Sequence, residues 1–511
     1  MSIFRRVLLP ALVAVLAAGA CLVPTPAAQA ASGGLSLFTP TTNITATVYG
    51  TGADASTDVE PALYMAAAAT APFEVLARRT SYDRPVSAIA TIGNVTRFVP
   101  PSLLAGWDGF AKAFTLTWRS SSGRVVSAKS QAWCPNNGVA GRYSPLGSVS
   151  NRYDTFCVSH PFAKSDRWGI ERGWATQVFG FGIDAPTLTV GATYTLQAKL
   201  SDALGNFLGI PASSRSFTYR VKVVKGDDSR ARTARSTTGG KPTGPTNAAS
   251  RSAASAPKAP AGTTREAPRD TLPDLVALPA LGISTHAEGG RDELDFGATI
   301  YNAGQAPLVA EGFRRGSSGT MDAFQYFYRG TQVVGSAKVG TMMFDSRPSH
   351  LHWHFRDFAL YDLVDARGRN VGTSGKEAFC LAPTDAIDML QLGAAKDPGD
   401  SNLSTACGDI SSIWVREVLA AGWGDTYTQQ RAGQSIDVTN LPNGTYRIRI
   451  TANPAGHLHE LTRANDVALR TIVLGGTKGH RTVKVPPYQL VDSEADINFQ
   501  ALDPDAMPAM S

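Results

Sequence analysis

At 511 residues the chain is too long for one compact domain, so two folded units and a connector are expected, with ample material for cores. Its net charge of +6 would suit an acidic partner. Between 226 and 270, however, Arg230, Arg232, Arg235, Lys241, Arg251, Lys258, Arg265 and Arg269 face only Asp227, Asp228, Glu266 and Asp270, so much of the excess belongs to a solvated segment and no nucleic-acid partner is expected.

The chain opens as an export signal over 1–30. Arg5 and Arg6 precede an apolar run from Val7 to about Val23, and Ala28-Gln29-Ala30 supplies a small-x-small cleavage pattern, placing the mature start near Ala31. Cys21 could be lipidated, but Ala18-Gly19-Ala20 lacks the usual aliphatic residue, so a secreted, extracellular protein is the reading. No later stretch approaches the ~18 apolar residues needed to cross a bilayer. From 31 to 225 short β-favouring runs (NITATVYG, AFTLTWRS, ATYTLQAKL, SFTYRVKVV) are separated by turn residues, which predicts an antiparallel sandwich. This unit either binds substrate or cell wall or is a spacer. Without Cys21 four cysteines remain, and their spacing pairs them most simply as Cys134 with Cys157 and Cys380 with Cys407.

The segment 226–270, with STTGGKPTGPTNAAS and no aromatic residue, cannot bury a core and reads as a disordered linker, with wall contact as the alternative role. Residues 271–478 return to β patterning in LDFGATIYNAG, TYRIRITANP and DVALRTIVL, with helical periodicity confined to short pieces such as SIWVREVLAAG. The tail, 479–511, carries VKVPPYQL and an acidic stretch and is expected to pack loosely or move. The fold class is therefore mainly β, two β-sandwich-like domains joined by a linker.

Inside the second domain HLHWH puts His350, His352 and His354 at alternate positions in a chain of only eight histidines. On a strand these three share one face, and Leu351 and Trp353 the other, which would be core. Neutral imidazoles suit copper or zinc. A flat strand would hold the outer pair roughly 13 Å apart at about 3.3 Å per residue, so the strand must bend, with Pro348 a candidate, or one histidine is a bystander. His352 and His354 are the pair most expected to act together.

HLHWHFRDFALYDLVDARGR is followed by TSGKEAFCLAPTDA and then by GWGDTYTQQRAGQSIDVTNLPNGTYRIRITANP. Together with LPDLVALPALGIS, these motifs resemble the catalytic domain of the lysyl oxidases, in particular its bacterial branch, from about Leu272 to Gly476. The resemblance implies a copper amine oxidase carrying lysine tyrosylquinone, built from Lys376 and Tyr427 beside the histidine face. Such an enzyme oxidises primary amines, including lysine side chains of peptides and proteins, to aldehydes with O2, releasing H2O2 and NH3. Asp425, two residues before Tyr427, is the candidate base if the segment is extended; a turn-forming role is the alternative. Vertebrate members have a histidine where this chain has Leu360, so no role is carried over there.

The resemblance also implies Ca2+ held by Asp274, the Leu275 carbonyl, Glu460, Asn465 and Asp466, with Thr462 standing at a family acidic position; the alternative is a turn satisfying its own backbone. His457 and His459 read as surface residues. A reading from another class is a non-catalytic secreted protein binding copper, cell wall or matrix, against which the joint presence of the three histidines, Lys376 and Tyr427 argues.

Overall fold

The computed structural model describes residues 34–226 and 258–494, apart from 51–54, 137–138, 181, 263–266, 317–318, 347–350, 376–377, 401–402 and 429–433. The export signal, most of the linker, the acidic end of the tail, His350, Pro348 and Lys376 lie outside the described residues.

The chain is mainly β, as expected. In the N-terminal half a six-stranded sheet runs in the order Ser56–Asp58, Asn43–Tyr49, Ser216–Lys225, Thr193–Leu200, Phe110–Arg119, Val125–Trp133. The alternation that the sequence displays is what folds it: Phe114, Leu116 and Trp118 point inward along one strand and Tyr219, Val221 and Val223 along another. Two four-stranded sheets close over this face, and Phe73, Phe110, Trp133 and Trp168 pack between them with ring centroids 5.8–6.4 Å apart. Not every pair is antiparallel; Asn43–Tyr49 runs parallel to Ser216–Lys225. Cys134 and Cys157 are bonded, and so are Cys380 and Cys407.

The C-terminal half has three sheets. One runs Ala378–Phe379, His352–Arg356, Gln332–Asp345, Thr320–Arg329, Leu308–Arg314, Trp414–Leu419; a second runs Leu275–Ala277, Arg291–Asn302, Trp423–Tyr427, Asp385–Ala386. The third runs Asn370–Thr373, Ala359–Val364, Gly444–Ala452, Val467–Thr477, His480–Lys484. The expected helix at SIWVREVLAAG is instead the strand Trp414–Leu419. Val415, Glu417 and Leu419 are its inward positions, so a buried glutamate masked the period-two pattern.

The two halves are packed together. Lys164 N–H donates to the Ile387 carbonyl at 2.6 Å and Met389 N–H to the Ser165 carbonyl at 3.2 Å, while Ser165 forms a parallel bridge with Asp388. Phe162 and Ala163 are fully buried among Leu281, Tyr301, Ile387, Met389 and Trp423 of the other half. The first part of the tail is also held, contrary to the loose packing expected. Tyr488 lies against Tyr82 and Phe162, Leu490 N–H donates to the Tyr82 carbonyl at 3.1 Å, and Ile283 N–H donates to Glu494 at 2.7 Å. The turn VPPYQL thus straps one half to the other, because Tyr82 and Phe162 offer its Tyr488 an edge-to-face aromatic seat.

At the rim of this interface burial, aided by Asp397 from the other half, pushes the Asp154 carboxyl up from 3.8 to about 7. The native carboxyl keeps its proton where the unfolded chain has released it, so its contribution to stability is present below pH 4 and is lost as pH rises to 7. Thermal melts of Asp154→Asn should gain on the parent protein progressively between pH 4 and 8. A difference in Tm that is the same at pH 5 and pH 8 would contradict this.

Candidate functional site

The histidine strand, His352–Arg356, is short and central, paired with Gln332–Asp345 on one side and Ala378–Phe379 on the other. Trp353 is a core residue whose indole N–H donates to the Asp409 carbonyl at 2.8 Å. His352 and His354 share the opposite face, their ring centroids 4.7 Å apart and edge to face; His354 is 1% exposed, with Nδ1 3.5 Å from the Asp345 carboxylate. The required bend is at Leu351, whose φ of +47° is a conformation that L-residues rarely adopt. The expectation that Leu351 would join Trp353 in the core is therefore overturned: it is 57% exposed, since the left-handed residue breaks the alternation one position before the strand begins.

The tyrosine strand, Trp423–Tyr427, lies between Arg291–Asn302 and Asp385–Ala386, with Ala298 opposite Tyr427, Thr299 opposite Thr426 and Ile300 opposite Asp425. It is extended, so Asp425 and Tyr427 share a face, and Asp425 is buried within a strand instead of standing in a turn. Gly424 is needed there: a Cβ would meet Thr299 Cγ2 at 2.7 Å.

The tyrosine hydroxyl brings the motifs together. Cys380 N–H donates to Tyr427 Oη at 3.0 Å, and Tyr427 Oη donates to the Cys380 carbonyl at 3.1 Å, while the Phe379 ring meets the Tyr427 ring edge-on at 4.8 Å. Cys380 follows Ala378–Phe379, the strand hydrogen-bonded to the histidine strand. Its disulfide partner Cys407 accepts from Trp353 N–H at 3.0 Å, so one bridge touches the tyrosine through one cysteine and the histidine strand through the other.

Two further groups escaped the sequence reading. Glu417 is fully buried, accepting from Leu381 N–H at 3.0 Å and from Phe355 N–H; burial first, and the nearby Asp425, push its carboxyl well above the ordinary value. Tyr361, in the YDLVDA run, is wedged between Phe296 and Phe379 at 5.7 and 5.9 Å, and burial likewise pushes its phenol well up, with Asp425 adding to the shift. A glutamate at the inward position of an otherwise apolar strand is the signal that could have found the first.

The residues of the calcium expectation also meet. Asn465 Nδ2 donates to Asp274 Oδ2 at 3.1 Å, and it is the Leu275 N–H, donating to Glu460 Oε2 at 3.1 Å, that joins this cluster. Asp274 Oδ1, Asn465 Oδ1 and Asp466 Oδ1 are buried without a hydrogen-bond partner. Burial, with Asp466 and Asp274 nearby, pushes Glu460 up to about 7. His457 is exposed as expected, but His459 is half buried against Phe327 at 5.6 Å, its backbone satisfied by Gln325.

Among the described residues no three His, Cys, Asp or Glu side chains form a group ready to hold a metal ion. His352 and His354 supply two neighbouring imidazoles, a donor set fitted to a borderline ion such as copper and lacking a third member, for which His350 is the outstanding candidate. The three buried oxygens around Asp274 fit a hard cation.

Fold and site define a β-sandwich protein with a disulfide-bordered cluster of imidazole, phenol and carboxyl groups. Residues 334–483 match the lysyl oxidase family profile, so this half contains a lysyl oxidase-like domain. Lysyl oxidase homolog 2 of Gallus gallus is 26% identical over 120 residues, and that of Homo sapiens 25% over 120. Lysyl oxidase homolog 3B of Danio rerio is 26% identical over 119. Each match covers 23% of this chain and 13% of the relative. A solved BSP domain of a biofilm associated protein overlaps 89% of this chain, and 89% of its own, at 9% identity and a TM-score of 0.08.

Replacing Glu417 with Leu leaves the Leu381 N–H without its acceptor and should cost about 1–3 kcal/mol in denaturant unfolding, whereas Glu417→Gln keeps an acceptor and should cost far less. Equal losses in the two variants would refute this account.

Proposed function

We propose that the C-terminal half is a copper-dependent amine oxidase in which Lys376 and Tyr427 are joined as lysine tyrosylquinone, acting on primary amines, including lysine side chains of peptides or proteins, with O2. The observation that carries this reading is the hydrogen bonding of Tyr427 Oη to Cys380, four residues after Lys376 and on the segment that pairs with the histidine strand. In this reading His350, His352 and His354 hold the copper, and Asp345, beside His354 Nδ1, orients one imidazole. Copper held there would supply oxidising chemistry towards the Tyr427 ring, and a quinone at Tyr427 would supply an electron sink for the amine.

The chain's own residues provide the setting. Phe379 limits rotation of the Tyr427 ring and covers one side of it, and Tyr361 packs behind Phe379 at 5.9 Å. In this reading Asp425, on the same strand face as Tyr427, takes a proton from the substrate carbon, and burial of the neighbouring Glu417 disfavours a second anion beside it. The two disulfides accord with an extracellular location, and the opening 30 residues with export. The Asp274–Asp466 cluster is proposed as a Ca2+ site that stabilises the domain from outside the reacting centre.

Mass spectrometry of the purified, copper-loaded protein should find a crosslink between the Lys376 and Tyr427 peptides, with redox-cycling quinone staining. Both should vanish in Tyr427→Phe. If the two peptides occur only unlinked after copper loading, the oxidase reading fails and a non-catalytic binding protein takes its place. Separately, Ca2+ added to chelator-treated protein should raise Tm, the stabilisation reaching about 2.7 kcal/mol at a hundredfold excess over Kd, and Asp466→Asn should blunt the response. An unchanged Tm at millimolar Ca2+ would remove the calcium site.

A further inference from the structure

The tyrosine strand has a second face. Thr426 points away from the Tyr427 side, towards the N-terminal half, and what meets it there is a short chain of hydrogen bonds. Thr426 Oγ1 lies 2.8 Å from Thr299 Oγ1, its partner across the ladder, and Thr299 Oγ1 lies 3.0 Å from His160 Nε2. All three side chains are buried. The direction at the histidine is set by its other nitrogen: Phe162 N–H donates to His160 Nδ1 at 3.1 Å, so Nδ1 is an acceptor and the proton sits on Nε2, which donates to Thr299. Burial, with the Arg79 guanidinium adding to it, pushes the imidazole down to about 3, so the ring is neutral at any working pH and the direction does not change.

The contact does not stand alone. Phe156 meets Trp423, at the start of the same strand, edge-on at 5.6 Å. Asp385–Ala386 pairs with Gly424 and Trp423, and immediately after it Ile387 and Met389 exchange backbone hydrogen bonds with Lys164 and Ser165. The segment 156–165 therefore touches the tyrosine strand directly at Trp423 and reaches it through both of its neighbours in the sheet, by Thr299 on one side and by Ile387 on the other. With that segment removed, Trp423, Ile387, Met389 and Tyr301 would lose the apolar cover that Phe162, Ala163 and Val158 provide.

We propose that the N-terminal half is a positioning element of the catalytic site: through His160, Thr299 and Thr426 it fixes the rotation and register of the strand that presents Tyr427, so that the oxidase-like half is incomplete without it. His160 and Thr299 are positioning residues, acting on Tyr427 through the backbone they hold. The extra half of the chain is then neither a spacer nor, in this segment, a surface for substrate. The consequence for quinone assembly rests on the function proposed above; the positioning does not.

The test uses the full chain. Thr299→Val keeps volume and deletes the hydroxyl, Thr299→Ser keeps the hydroxyl and deletes the methyl, and His160→Phe keeps a ring without donors. In hydrogen–deuterium exchange of the copper-free protein, Thr299→Val and His160→Phe should speed exchange of the 423–427 amides at least tenfold while leaving 114–118, in the N-terminal sheet, unchanged. Thr299→Ser should exchange like the parent. After copper loading the Lys376–Tyr427 crosslink should fall severalfold in the first two variants and be retained in the third.

Parent-like exchange in Thr299→Val, or a Thr299→Ser variant impaired as much as Thr299→Val, overturns the proposal, because packing alone would then account for the contact. The tenfold exchange difference in variants of a protein that never forms the crosslink would support the positioning and overturn only the oxidase reading.

Discussion

The strand Trp423–Tyr427 is buried on both faces, and much of the molecule is arranged around that constraint. A sheet strand with one wet face can shift or twist slightly at small cost; one pressed between two cores cannot, because a one-residue slip would carry Tyr427 and Asp425 to the side of Thr426 and leave a threonine among aromatic rings. Gly424, with no room for a Cβ against Thr299, shows how closely the neighbouring strand approaches. The same double burial explains why a β domain with its own sheets is nevertheless joined to a second sandwich over an apolar surface.

The Cys380–Cys407 bridge acts on the same strand from the other direction. It spans 27 residues of sequence, and by the loop-entropy account such a closure stabilises by roughly 3–4 kcal/mol. Its local effect is more specific. Cys380 gives both its N–H and its carbonyl to the Tyr427 hydroxyl, and Cys407 gives its carbonyl to the histidine strand, so the bridge sets the separation between an imidazole pair and a phenol that belong to different sheets. Glu417 serves that arrangement as a buried acceptor: an apolar residue would strand the Leu381 N–H, and burial beside Asp425 disfavours its ionised form.

What could be read from the sequence follows from how local each signal is. Strand runs such as AFTLTWRS and TYRIRITANP carry their burial pattern in consecutive residues, so the β class was legible, as were the cysteine pairs, whose members lie near one another in the chain. The alternation in HLHWH correctly placed His352 and His354 on one side, but a left-handed Leu351 is a property of the surrounding structure and left no mark in composition. SIWVREVLAAG was misread as helix because Glu417 occupies a core position that only long-range partners make tolerable. The packing of the two halves was invisible for the same reason: a neutral histidine between two threonines, and a tyrosine in VPPYQL, become informative only when residues more than a hundred positions apart are in contact.

Those long-range contacts also impose an order on assembly. The seat of the Tyr427 hydroxyl is backbone from a segment clamped by a disulfide, and its outer face is closed by a half of the chain that holds a disulfide of its own, Cys134–Cys157, a few residues from the contact segment 156–165. Neither clamp persists in a reducing compartment, where thiols are kept free. A chain retained there would hold the tyrosine in a looser seat, with the histidine strand and the Cys380 segment no longer tied together. On the oxidase reading proposed above, the cysteines would be oxidised before any chemistry on the tyrosine, so that an oxidising environment would be a condition for building the site.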